Sequence, residues 1–175
     1  MSGSLPQRSG PPGPKIDFKS FSNIIAGKPA KSSQTFQGIN PATKKKLWDV
    51  PNASRQDVDR AVKAAAAAQK EWAKKSWKER QEHTLRIKPV YAKHFNNLVE
   101  LLMTENGKPN KWAQFEVGSM DFYVDFHAKL PIPTGETNED NDRKITTTFH
   151  PLGVVAAICP WNFPLNMWYV MLCPR

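Results

Sequence analysis

The stretch PLGVVAAICPWNFP, residues 151–164, decides the fold. Leu152 to Ile158 is a short, nearly continuous apolar run with β-branched Val154, Val155 and Ile158, which predicts a strand buried on both faces of a parallel sheet. Pro160 and Pro164 stop that run. Proline has no N–H for a strand ladder and pushes its predecessor toward extended geometry, so Trp161, Asn162 and Phe163 are expected on a stiff corner past the strand's carboxyl end. In open α/β sheets this is where ligands bind. An asparagine held there can offer its side-chain N–H to negative charge developing on oxygen, and removing one such donor typically costs about 100- to 1,000-fold in rate. The residues alone leave a second reading open, in which Trp161 and Phe163 are packing and Asn162 is a turn residue.

Working outward from the corner, caps and periodicities organise the rest. Phe18 to Ile25 and Gln34 to Ile39 read as short strands, and the turn Asn40-Pro41-Ala42-Thr43 leads into a third around Leu47 to Val50. Ser54 with Asp57 predicts a capped helix whose face carries Val58, Ala61, Val62, Ala65, Ala68 and Trp72. Ser76 with Glu79 opens another, running through Leu85 and Ile87 until Pro89 breaks it. Asn97 with Glu100 predicts a restart, with Leu98, Leu101 and Leu102 apolar and Gly107 as its end. Trp112, Phe115, Ser119, Phe122 and Phe126 recur at helical spacing and are read as core. Pro131 to Glu136 and Lys144 to His150 are predicted strands joined by the polar loop Thr137 to Arg143, with Ile145, Thr147 and Phe149 on one face of the second.

Composition excludes several classes. With 39% hydrophobic and 23% charged residues, the 175-residue chain has enough apolar material for one sizeable core. No run of about eighteen apolar residues indicates a membrane span. Residues 1–15, MSGSLPQRSGPPGPK, have no apolar segment of the secretory kind and are read as a disordered arm, so the cytosol is the expected compartment. The net charge of +9 invites a nucleic-acid reading, but the basic residues are scattered. The only tight run, Lys44-Lys45-Lys46, is expected at a hairpin tip in water, so no nucleic-acid partner is expected. His83, His94, His127 and His150 show no metal-ligand spacing, and no metal site is indicated. Cys159, at the strand-to-corner transition, is read as a small buried hydrophobe; Cys173 follows near the end.

PWNFP after an apolar strand resembles the aldehyde dehydrogenase superfamily. LLMTENGKP, residues 101–109, is similar to that family's helix end, and residues 39–77 resemble its first hairpin and first long helix. The three segments follow the family's order over roughly residues 21–174. The resemblance implies an α/β fold: a partial Rossmann-like cofactor domain with a β-hairpin oligomerisation arm. It divides the chain into the arm 1–15, the strands and helices 16–130 of the cofactor domain, the oligomerisation-type hairpin 131–150, and the buried strand and corner 151–175.

The same resemblance implies that Ile158, Pro160, Trp161 and Asn162 line a pocket for NAD or NADP, and that Asn162 belongs to the oxyanion hole. The family oxidises aldehydes to carboxylic acids, which needs a thiolate nucleophile, a base for the hydrolytic water, a hydride acceptor and an oxyanion hole. In the family the cysteine, the glutamate base and the glycine-rich pyrophosphate turn lie after the corner. The expectation is therefore the amino-terminal third to two-fifths of such an enzyme, inactive alone. The alternative is an interaction protein forming homo- or hetero-oligomers through strands 131–150 with a full-length relative. A third alternative is a chain that does not fold stably by itself.

Two departures from the family pattern stand out. The break at Pro89 has no counterpart in the resemblance. Residues 164–174 partly follow the family's next helix, with Met167, Leu172 and Pro174 in place, but bulky Trp168 and Tyr169 stand where small residues are usual and Met171 where lysine is common. Glu105 matches a position that lies near a monovalent cation in some relatives; no bound metal is expected here.

Overall fold

The computed structural model describes Ile16 and residues 20–172. The arm 1–15, the start of the predicted strand at Phe18, and Cys173 and Pro174 lie outside the described residues. What is described is mixed α/β, with three two-stranded antiparallel sheets and six α-helices among those residues.

The first sheet pairs β1 (Asn23–Ile25) with β2 (Lys28–Ala30); β1 falls at the end of the strand expected over Phe18 to Ile25, and β2 lies beyond it, in residues with no strand expected. Ala26 and Gly27 turn it with φ of 51° and 73°, the double left-handed conformation that two-residue hairpins use. The second pairs β3 (Gln34–Ile39) with β4 (Lys46–Asn52), with a register shift between Gln37 and Ile39. At its tip the Asn40 side-chain oxygen accepts from the N–H of Ala42 and Thr43 at 2.9 and 3.0 Å, and Lys44, Lys45 and Lys46 are exposed.

Helix α1 (Arg55–Trp72) starts at the expected capping box, the Ser54 hydroxyl accepting from the Asp57 N–H while the Asp57 carboxylate accepts from the Ser54 N–H. Its predicted apolar face is largely open: Val58 and Val62 are about half exposed. Helix α2 (Trp77–Leu85) starts at the second predicted box, Ser76 with Glu79. Its Trp77 indole Nε1–H donates to the Leu130 carbonyl at 2.9 Å, tying α2 to a segment 53 residues later.

The chain then breaks at Arg86, three residues before Pro89, and resumes as α3 (Ile87–Lys93). A proline clashes with the carbonyl four residues earlier, here Leu85, and so ends the preceding helix there. Pro89 itself falls in the first turn of α3, where N–H groups have no intrahelical partner anyway. Helix α4 (Phe95–Asn106) starts two residues before the predicted cap, which places Asn97 inside the helix and buries it. It ends as predicted at Gly107, φ 70°. A Cβ on Gly107 would meet Pro41 Cγ at 2.7 Å, so the helix end rests on the β3–β4 turn.

Helix α5 (Asn110–Ala128) is central, and its buried face corrects the sequence reading. Trp112, Phe115, Phe122 and Phe126 are exposed, between 42% and 66%, whereas Ala113, Glu116, Val117, Met120, Val124 and Ala128 are buried. Both sets have helical spacing. The buried set packs against α4 and the last helix, α6 (Pro164–Leu172), while the rings stay open to solvent. The core has two clusters, Tyr91, Met120, Val124 and Tyr169, and Val99, Leu102, Ala113 and Val117. Leu98 and Leu165 pack against both.

The third sheet pairs β5 (Glu136–Glu139) with β6 (Lys144–Thr147). Thr137 to Glu139, expected in the loop, belong to β5, because Thr137, Asn138 and Glu139 face Thr146, Ile145 and Lys144 across the ladder. Every residue from 131 to 150 is exposed.

The largest correction concerns residues 152–158. They form no strand, and all are exposed, Leu152 at 92% and Ile158 at 86%. A strand in a parallel sheet exists only through ladder bonds to its neighbours, and none of the sheets among the described residues includes this segment. The expected strand, buried on both faces, is therefore not formed: the apolar, β-branched run is open to solvent over its whole length. Helix α6 (Pro164–Leu172) then follows the corner.

Candidate functional site

The corner is held from below by the loop between α4 and α5. The Asn106 side-chain amide donates to the Trp161 carbonyl. The Lys108 ammonium donates to the Asn162 carbonyl at 2.7 Å, pairs with the Glu116 carboxylate, and lies 4.2 Å from the centre of the Phe163 ring. Glu116 is wholly buried, and its second carboxylate oxygen accepts from the Leu165 N–H at 2.9 Å, in the first turn of α6. A carboxylate there also meets the positive end of the helix. One turn on, Asn166 and the Ser119 hydroxyl exchange hydrogen bonds at 3.0 and 3.2 Å.

Local sequence explains these placements. Gly107 in the left-handed conformation stops α4, and Pro109, extended at φ −57°, starts α5 two residues later. Asn106 and Lys108 therefore sit on a short bend directly beneath the corner, and Glu116 on the buried face of α5 meets Lys108 from the other side.

Of the residues singled out from sequence, Trp161 is 79% exposed, Ile158 is 86% exposed, and Pro160 and Asn162 are exposed. All four are thus open to solvent at the entrance to α6, and only Trp161 of them lines the groove described next. Cys159 between them is half-buried and carries a free thiol. Beneath Trp161 a groove of about 420 Å³ runs between Pro41, Leu98, Leu102 and Leu165, with exposed Glu105 at its rim. No group of three or more potential metal ligands occurs among the described residues. No described helix is long and apolar enough to cross a membrane.

The family model of the aldehyde dehydrogenase family matches residues 28–175. The chain belongs to the aldehyde dehydrogenase family. Among its relatives, the aldehyde dehydrogenase LUC3 of a Fusarium species is 39% identical over 147 residues, 84% of this chain and 32% of the relative. The D-glyceraldehyde dehydrogenase (NADP(+)) of Picrophilus torridus is 35% identical over 151 residues, 83% of this chain and 30% of the relative. The fold agrees: the crystal structure of a NAD-dependent benzaldehyde dehydrogenase from Corynebacterium glutamicum superposes with a TM-score of 0.76 at 30% identity, covering 88% of this chain and 35% of that one. The chain spans about a third of the length of these relatives.

Sequence reading found the corner of this aldehyde dehydrogenase family chain but missed what holds it. Asn106 and Lys108 lie inside the quoted ENGKP segment, yet their targets are backbone carbonyls 55 and 54 residues away, which no local pattern displays. Glu116 did leave a signal. It is a charged residue in register with Ala113, Val117, Met120 and Val124, and a charge on an apolar stripe demands a partner.

Proposed function

We propose that this chain is the amino-terminal, cofactor-side part of an aldehyde-oxidising unit that uses NAD or NADP, and that it does not turn over alone. The observation that carries this reading is the exposure of Ile158, Pro160, Trp161 and Asn162 toward the end of a family match over residues 28–175. In that unit the first three residues flank the nicotinamide, and the Asn162 side-chain N–H stabilises negative charge on the aldehyde oxygen as a nucleophile adds to its carbon. The nicotinamide, when bound, accepts the hydride.

The inventory of groups supports the proposal of inactivity alone. The chain has two cysteines. Cys159 is half-buried and lies between Ile158 and Pro160, outside any segment like the family's nucleophile loop. Cys173 belongs to no segment like the family's nucleophile loop. The names of the relatives include both NADP(+) and NAD, so the proposal covers either cofactor.

A test is thermal unfolding of the purified chain with and without millimolar NAD and NADP, followed by an assay with a panel of aldehydes. A raised transition with either nucleotide and no aldehyde-dependent NADH or NADPH formation is expected. Turnover by the pure chain would overturn the inactivity, and a transition blind to both nucleotides would overturn the cofactor wall.

A second reading is favoured by the complete exposure of residues 131–150, including Ile145 at 53% and Phe149 at 58%. An exposed hairpin with free edges is a template for pairing with another chain. Here the chain is an oligomerising partner of a full-length relative, and co-elution of the two from a sizing column is the expected outcome; separate elution counts against it.

A further inference from the structure

We propose that Lys108 and Glu116 are positioning residues for the corner: their buried ion pair sets the peptide planes of residues 161–165 so that Trp161 and Asn162 face outward toward cofactor and aldehyde oxygen. This rests on the reading of the corner as a cofactor wall.

The geometry supports a directional role. An ammonium has three N–H groups, and Lys108 meets three acceptors: the Glu116 carboxylate, the Asn162 carbonyl at 2.7 Å and the face of the Phe163 ring at 4.2 Å. The Lys108 and Glu116 side chains are 8% and 0% exposed. Both oxygens of Glu116 are engaged, the second by the Leu165 N–H at 2.9 Å. The pair therefore grips the chain on either side of Pro164, at the carbonyl of Asn162 and the amide of Leu165. With the Asn162 carbonyl drawn inward, and the Trp161 carbonyl drawn inward by Asn106, both residues stay exposed.

Stability alone is a poor explanation for such a pair. Burying two charges costs about as much as their attraction returns, and apolar replacements of similar volume are often as stable. Direction is what an apolar replacement cannot supply. Charge-assisted bonds to one carbonyl and one amide fix a peptide orientation that a methionine in the same space would leave free.

The test compares Lys108→Met, Lys108→Gln and Lys108→Arg with the parent chain, by amide exchange and by the side-chain amide resonances of Asn162. Lys108→Met is expected to speed Leu165 exchange at least tenfold and to shift the Asn162 side-chain resonances toward the averaged values of a free asparagine, while exchange in α1 changes less than twofold. Lys108→Arg, which keeps charge and donors, is expected to restore Leu165 protection to within threefold of the parent. Unchanged Leu165 exchange and Asn162 resonances in Lys108→Met would overturn the proposal, as would acceleration spread equally through α1. Should Lys108→Met not fold, Lys108→Gln against Lys108→Arg decides: faster exchange in the first only supports positioning, and equal exchange overturns it. Nucleotide titration of the parent chain tests the cofactor wall separately, so the two ideas fail by different readouts.

Discussion

Two neighbouring segments of this chain behave differently. Residues 152–158 are apolar, β-branched and exposed, with no strand formed; residues 161–166 include three polar contacts to buried or half-buried partners and lead directly into a helix. The first segment needs strands alongside it for its N–H and C=O groups. The second needs only side chains from α4, its loop and α5, all of which precede it in this chain. An apolar pattern therefore does not by itself make a strand, whereas a polar clamp needs only its few side-chain partners.

The largest effect that would break this contrast comes from Glu116→Ala. It leaves the Lys108 charge buried without its carboxylate, and removing one partner of such a pair costs about 3 to 5 kcal/mol. Since whole domains are stable by only about 5 to 15 kcal/mol, urea unfolding should show a marginal or unfolded chain. Next comes Gly107→Val. Its left-handed backbone penalises a β-branched residue by about 1 to 2 kcal/mol, and the new Cβ would press on Pro41. The urea midpoint should fall, with the bend beneath the corner loosened rather than the corner's own bonds removed.

Ser54→Ala, remote from the corner, should cost about 1 kcal/mol through the lost α1 cap. It also carries a pH dependence. The Ser54 hydroxyl, then its backbone N–H and then Arg60 hold the Asp57 carboxyl down from 3.8 to about 2. A depressed carboxyl contributes stability that is fully present above the unfolded value and lost as pH falls through the folded one. Stability of the parent chain should therefore decline between about pH 4 and pH 2, and the Ser54→Ala chain should show a smaller decline over that window in a circular-dichroism titration. Smallest is Ile158→Thr. In a buried strand it would cost several times more, but on this exposed, unpaired segment it should change stability by less than about 0.5 kcal/mol.

How much was legible in the sequence follows the same division. Caps announce themselves locally, and the boxes at Ser54 and Ser76 and the stop at Gly107 were all read correctly. Pro89 was seen as a break, though the break falls at Arg86 because the ring's clash acts on the preceding turn. The core face of α5 was misread because two helical stripes coexist, and ring size favoured the wrong one; what decides is which side α4 and α6 occupy, a long-range fact. The corner was legible as a corner. Its fastenings Asn106 and Lys108 were not, because each acts on backbone more than fifty residues away, and Glu116 showed only as a charge on an apolar stripe, with no sign that its target was the Leu165 amide.

Amide exchange along the unmodified chain, comparing Leu165 to Val170 with Leu152 to Ile158, tests most directly the claim that the corner is preformed while the strand is not. The account predicts protection at least about 100-fold greater in the helix that leaves the corner than in the segment that enters it. Equal exchange in the two, or a protected 152–158 segment, would contradict it.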